Sequence, residues 1–241
     1  MSSKLRLNYT YYNCPDIFQQ IVEWYLGFDP NGDLFDYTVI DDGSHSRPLK
    51  AHHVPEHWNI LRINIDYGWN NEGARNCLMK FTDNDWNLLL DCDWVVDEKN
   101  LKKLAHAADV EMLDEGVVYM PANYGPKTMR NSFLVHKDEF KKRGGYDQNF
   151  IGYHGVDYSF LRFGLVYDHT GWFEFNRIVD DVVPPAEKER AEEIERFHKH
   201  MDNLARLGLG HRNKEDKQDF VWKDEETKME LWQDIEYEII R

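Results

Sequence analysis

The sequence predicts an α/β fold in which helices flank a mostly parallel β-sheet. Strand-like segments alternate with helical ones along the first half of the chain, which favours parallel strands joined by crossover helices. The 241 residues, 41% of them hydrophobic and 14% aromatic, are enough for a packed core in one large domain. No apolar stretch approaches the length of a membrane span, and the N-terminus lacks the apolar region of a signal peptide. We therefore expect a soluble, cytoplasmic protein.

The predicted elements follow from the hydrophobic pattern of each segment. Residues 5–12, 36–41, 58–65, 86–91 and 117–120 have the apolar or β-branched density of strands. A helix starts near Pro15 and ends at Gly27, and a second covers residues 72–80. The apolar side of the first helix consists of Ile17, Phe18, Ile21, Val22 and Tyr25. Because such sheets bind ligands beyond the carboxyl ends of their strands, the polar residues at those ends form the candidate site.

The character of the chain changes after Pro184-Pro185. A charged helix is predicted over residues 187–207, ending at Gly208 and Gly210, and another starts at about Glu225. The apolar stripes of these helices are Ile194, Phe197, Met201 and Leu204 in the first, and Trp232, Ile235 and Ile239 in the second. We expect a main domain at 1–183, with halves at about 1–95 and 96–183, and a helical extension at 184–241. The extension packs on the main domain or forms a homodimer contact.

The charge of the chain excludes one class of partner. Lys and Arg number 29 against 44 Asp and Glu, giving a net charge of −15, so binding to nucleic acid through phosphate neutralisation is disfavoured. A phosphorylated substrate would need a metal ion or a cluster of donors. The cysteines Cys14, Cys77 and Cys92 are odd in number and lack CxxC spacing, which supports neither a disulfide framework nor a cysteine zinc site.

An acidic pair, Asp91-Cys92-Asp93, follows the apolar strand at 86–91. Residues two apart in an extended chain point to the same side, so the two carboxylates would share one face. Such a pair suits Mg²⁺ or Mn²⁺, which could bridge a diphosphate. The alternative is an acidic loop that caps the following helix.

Other polar groups end the neighbouring strands. Asp42 lies in the turn Asp41-Asp42-Gly43-Ser44, for which a purely structural turn is the alternative. The segment 10–13 ends the first strand, and Arg75 lies in the second helix. In a parallel sheet these groups and the acidic pair gather at one edge. Together they would offer an aromatic face for a base, a carboxylate for a ring N–H, a guanidinium, and a metal for phosphates.

Five segments in this order resemble the GT-A-fold glycosyltransferases, especially glycosyltransferase family 2, over roughly residues 5–165. They are Thr10-Tyr-Tyr-Asn13, Val39-Ile-Asp-Asp-Gly-Ser44, Asn71-Glu-Gly-Ala-Arg-Asn76, Leu90-Asp-Cys-Asp93, and Gly144-Gly-Tyr-Asp-Gln-Asn-Phe150 followed by Gly152-Tyr-His-Gly-Val-Asp157. The resemblance implies that a nucleotide-sugar donor is bound by Thr10, Tyr12, Asp42, Arg75, Asp91, Cys92 and Asp93. It implies Asp93 as the direct metal ligand and Asp91 as the supporting one.

The segment 144–157 is similar to the part of the family that opens the acceptor side. Its last residue, Asp157, corresponds to the family's general base, which takes the acceptor's hydroxyl proton. The alternative for Asp157 is an acid that stabilises a helix N-terminus. Val156 stands where the family usually has Glu, which puts the acceptor geometry in doubt. His169 is the candidate third metal ligand, and an ordinary hydrogen-bonded histidine is the alternative.

The resemblance therefore implies a metal-dependent, inverting glycosyltransferase that moves a sugar from a UDP-linked donor to the hydroxyl of a glycan or other acceptor. The main rival is a degenerate member that binds a nucleotide sugar or glycan without turnover. A sugar nucleotidyltransferase would need a Gly-rich loop after the first strand, which residues 10–15 do not supply. A phosphatase with a DxD nucleophile would have its acidic pair after the first strand.

Overall fold

The computed structural model describes most of the first 146 residues and shorter segments after them. The described ranges are 5–66, 70–122, 132–146, 166–168, 173–174, 176–177, 195, 198–199, 202, 205–208, 210–212, 220–222 and 235–241. Val156, Asp157 and His169 lie outside these residues.

Four α-helices and twelve strands lie entirely within the described part of the chain. The helices are α1 (Pro15–Leu26), α2 (Asn71–Phe81), α3 (Glu98–Asp109) and α4 (Lys137–Lys142). The strands of the first half are β1 (Leu5–Tyr11), β2 (Asp36–Asp41), β3 (Asn59–Ile63), β4 (Trp86–Leu90), β5 (Trp94–Val95) and β6 (Val117–Tyr119). The others are β7 (Phe133–His136), β8 (Val166–Asp168), β9 (Asn176–Arg177), β10 (Gly210–Arg212), β11 (Phe220–Trp222) and β12 (Tyr237–Ile239).

The main sheet has eight strands in the order β12-β3-β2-β1-β4-β7-β6-β8. The four central strands β3, β2, β1 and β4 are parallel, β6 and β8 also pair in parallel, and β7 and β12 run antiparallel to their neighbours. The α/β fold and the mostly parallel sheet predicted from the sequence are confirmed. Each strand predicted in the first half is present, with ends that differ by at most two residues.

Helices cover both faces of the sheet. On one face α1 and α3 pack over β1 and β2, and Tyr37 stacks on Trp58 with ring centroids 4.6 Å apart. On the other face Ile40 and Leu61 contact Ala74 and Leu78 of α2. Side chains along β2 therefore alternate between two apolar layers, as expected for a strand buried on both sides. Within the described residues, no helix has the length and apolar character needed to cross a membrane.

The helix predicted from about Glu225 through Ile239 is wrong at its end. Residues 237–239 form β12, which pairs antiparallel with β3, and Ile239 is 61% exposed rather than buried on a helix stripe. Spacings of three and four residues suit a helix, but a short β-branched run also suits a strand. The edge of β3 decides the outcome, because pairing with β12 satisfies backbone groups that would otherwise be open to solvent.

The rest of the predicted extension is described only in part. Positions 195, 198, 199, 202, 205 and 206 are helical, and this helix ends before Gly208 as predicted. Strands β10 and β11 then pair with each other, which the sequence reading did not anticipate. The domain boundary at residue 184 and the homodimer contact stay predictions.

Candidate active site

The carboxyl ends of three adjacent parallel strands meet at one edge of the sheet. β2, β1 and β4 end at Asp41, Tyr11 and Leu90, and α2 starts at this same edge. Sheets of this kind bind their ligands beyond the carboxyl ends of the strands. Thr10 and Asp91 hydrogen-bond to Asn71 of α2, Asp91 also to Arg75, and Asp42 to the N-cap residue Asn70, so these groups lie together at this edge.

Asp41 holds the turn that follows β2. Its fully buried carboxylate accepts hydrogen bonds from the backbone N–H groups of Ser44 and Leu49, at 2.9 and 2.8 Å. Gly43 has a φ of +68°, and a Cβ there would lie 2.5 Å from the carbonyl oxygen of Ile65. Only glycine fits this turn without strain. Asp41 is thus a structural residue of this turn.

Asp42 connects the end of β2 to the start of α2. Its side chain is 1% exposed and accepts a hydrogen bond from the backbone N–H of Asn70 at 2.6 Å. Burial raises the pKa of the Asp42 carboxyl well above its usual range; the Asn70 bond opposes this, and the nearby Asp41 and Asp66 add to it. The buried carboxyl fixes the helix N-terminus at the sheet edge.

Thr10 and Tyr12 take different positions at the end of β1. The Thr10 hydroxyl is buried and donates to Asn71 Oδ1 at 2.5 Å. The Tyr12 hydroxyl donates to Asp66 Oδ1 at 3.2 Å, and its ring is partly exposed. Thr10 therefore holds Asn71 at the start of α2, whereas Tyr12 is partly exposed at the end of β1. Burial and the Asp66 carboxylate raise the pKa of Tyr12.

Arg75 and Asp91 form an ion pair at the centre of the site. Arg75 Nη2 donates to Asp91 Oδ1 at 2.8 Å, and Arg75 is 1% exposed against 22% for the Asp91 side chain. Asn71 Nδ2 donates to the same Asp91 oxygen at 3.4 Å. Burial raises the pKa of Asp91, and the charge of Arg75 and the Asn71 bond oppose that rise. The backbone N–H of Asp91 also donates to Ser132 Oγ, so Asp91 is held from several sides.

Helix α2 also holds the start of the segment expected to face the acceptor. Arg75 Nη1 donates to the hydroxyl of Tyr146 at 3.0 Å. Asn76 and the backbone of Tyr146 exchange two hydrogen bonds of 2.9 Å. Gly145 has a φ of +66°, and a Cβ there would lie 2.4 Å from Asn76 Oδ1, so this contact needs glycine. Adjacent residues of α2 thus join the acidic pair to the first residues of the 144–157 segment.

The acidic pair lies in a turn, not in an extended chain. β4 ends at Leu90, and the backbone N–H of Trp94 donates to the carbonyl oxygen of Asp91 at 3.2 Å. The prediction that alternation along a strand places both carboxylates on one face is therefore wrong. The capping interpretation is also wrong, because Asp97 caps α3 by accepting from the backbone N–H of Asn100 at 2.8 Å. The turn leaves Asp91, Cys92 and Asp93 partly exposed at the sheet edge.

The described residues fit a hard divalent cation only together with a substrate. Carboxylate oxygens from Asp91 and Asp93 are the donors that Mg²⁺ and Mn²⁺ prefer. Across the described residues, no group of three His, Cys, Asp or Glu side chains could hold a metal on its own. Such cations are commonly held by one or two carboxylates and completed by substrate phosphates and water. The acidic turn meets that requirement.

Several residues of this site were not singled out from the sequence. They are Asn70, Asn71, Ser132 and Tyr146. Asn70 caps α2, since its side chain accepts from the backbone N–H of Gly73 at 3.0 Å, and an Asn before a helical segment is a recognisable N-cap signal. No local signal identifies Ser132 or Tyr146, because their contacts to Asp91 and Arg75 depend on how distant segments pack.

Replacing Arg75 tests whether the ion pair supports the fold. We expect Arg75→Met to lower the free energy of unfolding by about 2 kcal/mol, because it removes the guanidinium that neutralises the Asp91 carboxylate and donates to the Tyr146 hydroxyl. For a chain of this size the melting temperature should fall by about 4–8 °C. Chemical denaturation of Arg75→Met, Asp91→Asn and the double variant measures the coupling. Additive losses would show that the pair contributes no interaction energy.

Comparison with known proteins supports the same class. Residues 10–169, more than half of the chain, match the family model described as "Glycosyl transferase family 2". The fold is that of the GT-A glycosyltransferases. The chain belongs to glycosyl transferase family 2. No curated protein sequence matches it.

Solved structures share the fold at low sequence identity. S. aureus TarS is 13% identical, with a TM-score of 0.57, covering 90% of this chain and 41% of that one. The mannosyltransferase PcManGT from Pyrobaculum calidifontis, in complex with GDP-Man and Mn²⁺, is 12% identical with a TM-score of 0.54, covering 96% and 70%. TarS 1–349 in complex with UDP is 12% identical with a TM-score of 0.54, covering 84% and 66%. The chain thus spans less than half of the full TarS chain.

Proposed function

We propose that this chain transfers a sugar from a UDP-linked donor to an acceptor hydroxyl, with inversion at the anomeric carbon and with Mn²⁺ or Mg²⁺ bound. The observation that carries the proposal is the position of Asp42, Arg75 and Asp91 at one edge of the parallel sheet, around the start of α2. All three lie inside the segment that matches the family. Asp42 bonds to Asn70, and Arg75 bonds to Asp91. Tyr12 and the acidic turn at residues 91–93 are partly exposed at the same edge.

The donor half of the site has a separate role for each group. Tyr12 offers a ring on which a base can stack. Asp42 lies near it, and its buried carboxyl would have to become accessible to pair with a ring N–H of that base. Asp91 and Asp93 would hold the metal ion, which supplies positive charge to the diphosphate leaving group. Arg75 is a positioning residue, because its guanidinium contacts Asp91 and Tyr146. A local cation site also offsets the repulsion expected from a net charge of −15.

The acceptor half would supply the base. Asp157 takes the proton of the acceptor hydroxyl as that oxygen attacks the anomeric carbon, and the nucleoside diphosphate leaves from the opposite face. One carbon–oxygen bond forms while another breaks, so the anomeric configuration inverts. The Asn76–Tyr146 contact supports this assignment, because it fixes the start of the segment that carries Asp157 beside the donor half. His169 stays the proposed third metal ligand.

Calorimetry with nucleotide sugars tests the proposal. We expect UDP-glucose, UDP-galactose or UDP-N-acetylglucosamine to bind in the presence of Mn²⁺ at least tenfold more tightly than GDP-mannose, and EDTA to abolish binding. UDP release on adding acceptor sugars should follow. Tighter binding of GDP-mannose would contradict the proposed UDP-linked donor and indicate a GDP-linked one, the kind of nucleotide sugar bound in the PcManGT structure. Binding of a UDP-sugar without any release of UDP would favour the degenerate binding protein instead.

A further inference from the structure

Two cysteines that are far apart in sequence meet beside the acidic turn. Cys14 and Cys92 are separated by 78 positions, and their Sγ atoms lie 3.4 Å apart. Both residues are partly exposed, and they pack against the edge of the apolar core. Cys77 is not exposed: it lies on α2 and is fully buried against the segment that contains Ile235. The number and spacing of the cysteines gave no support for a disulfide framework, and such spacing carries no information on this contact.

We propose that Cys14 and Cys92 are a site of reversible oxidation, at which a peroxide converts the two thiols into a disulfide that joins the acidic turn to the start of α1. A disulfide has an S–S length of about 2.0 Å, so the two sulfur atoms must approach by about 1.4 Å. Cys92 lies in the turn after β4, and Cys14 is the residue before the first turn of α1. Neither belongs to a strand of the main sheet, so the approach breaks no sheet hydrogen bond.

The chemistry balances with a hydroperoxide as the oxidant. One thiolate attacks a peroxide oxygen, which gives a sulfenic acid and releases water or an alcohol. The second sulfur then attacks the sulfenic sulfur, forms the S–S bond and releases water. The two cysteines together lose two electrons and two protons, and the peroxide is reduced by two electrons. A dithiol such as dithiothreitol reverses the reaction by thiol–disulfide exchange.

The expected consequence for ligand binding rests on the proposed function. Cys92 stands between Asp91 and Asp93, and Asp91 is held on the other side by Arg75 and Asn71. Movement of Cys92 toward α1 therefore displaces the turn relative to a fixed Asp91. The carboxylate of Asp93, which we propose as the direct metal ligand, would leave its position. Oxidation should weaken Mn²⁺-dependent UDP binding by tenfold or more.

Thiol counting and peptide mass test the disulfide without reference to activity. Treatment of the reduced full chain with hydrogen peroxide at a small excess should lower the thiols titrated after denaturation from three to one. A cross-linked peptide pair containing Cys14 and Cys92, lighter by two hydrogens, should appear and disappear with dithiothreitol. Cys77→Ala should still form the link, and Cys14→Ser should not. A count that stays at three, or links only between chains, would overturn the proposal.

The binding measurement uses Cys14→Ser as its matched control. Serine is favoured at a helix N-cap, so this variant should fold as the parent does and bind UDP equally when reduced. Peroxide should then weaken UDP binding by the parent and leave Cys14→Ser unchanged. Equal UDP binding by the reduced and the cross-linked parent would refute the expected effect of oxidation on binding. The proposal that Cys14 and Cys92 form a disulfide would still stand. If the reduced parent binds no nucleotide, the proposed function fails, and the mass measurement still decides the disulfide.

Discussion

Asp93→Ala should abolish Mn²⁺-dependent UDP binding, with a loss of affinity of a hundredfold or more. The reason is that the variant removes the carboxylate proposed to bind the metal directly, and the remaining acid, Asp91, is already ion-paired with Arg75. The free energy of unfolding should change by about 1 kcal/mol or less, because Asp93 lies in a partly exposed turn outside the apolar core. Calorimetry with UDP and Mn²⁺, combined with chemical denaturation, measures both quantities.

Asp97→Ala is the matched control for Asp93→Ala. Asp97 is an acid four positions further along, and it caps α3. Removing this cap should cost about 1 kcal/mol of stability and leave UDP affinity unchanged. The two variants should therefore show opposite patterns, with one losing ligand and the other losing stability. A large loss of stability in Asp93→Ala with normal UDP binding would assign Asp93 to the structure rather than to the metal.

Asp157→Asn should reduce the rate of sugar transfer by a hundredfold or more while donor affinity stays near that of the parent. An amide keeps the shape of the side chain but cannot accept the acceptor's proton, and general base catalysis commonly contributes a factor of about 10² to 10⁴. The measurement is the rate of UDP release with acceptor present, together with calorimetry of the donor.

Asp109→Asn makes the same chemical change at an exposed position at the end of α3 and should leave both quantities unaltered. Full turnover in Asp157→Asn would mean that another group takes the proton. A parallel loss of donor affinity would indicate a role in binding instead.

The central strands could be predicted because burial on both faces produces continuous apolar runs such as Leu88-Leu89-Leu90. The same pattern predicted where those runs end, and so it located Asp42 and Asp91 at one edge. The helix α3 was not predicted from its charged sequence, although Leu101, Leu104 and Ala108 repeat at helical spacing and are buried.

Other features depend on packing and have no local signal. The Arg75–Tyr146 hydrogen bond joins residues 71 positions apart, and nothing near either residue indicates the partner. The acidic turn illustrates the same limit: the sequence located the carboxylates correctly and assigned the wrong backbone geometry to them. Ile239 was assigned to a helix because short apolar runs fit either period, and the open edge of β3 decides between the two.

The pairing of β12 with β3 has a consequence for how the protein folds. Tyr237 pairs with Ile63, so this edge of the sheet joins residues 237–239 to residues 61–63. Ile235 packs at the same time on Ala74 and Leu78 of α2. Contacts of such long sequence separation form late, because a long chain segment must be ordered before they repay its entropy. During synthesis the part of α2 that Ile235 contacts therefore stays uncovered until residues 235–239 have left the ribosome, whereas the part that packs on Ile40 and Leu61 can be covered much earlier.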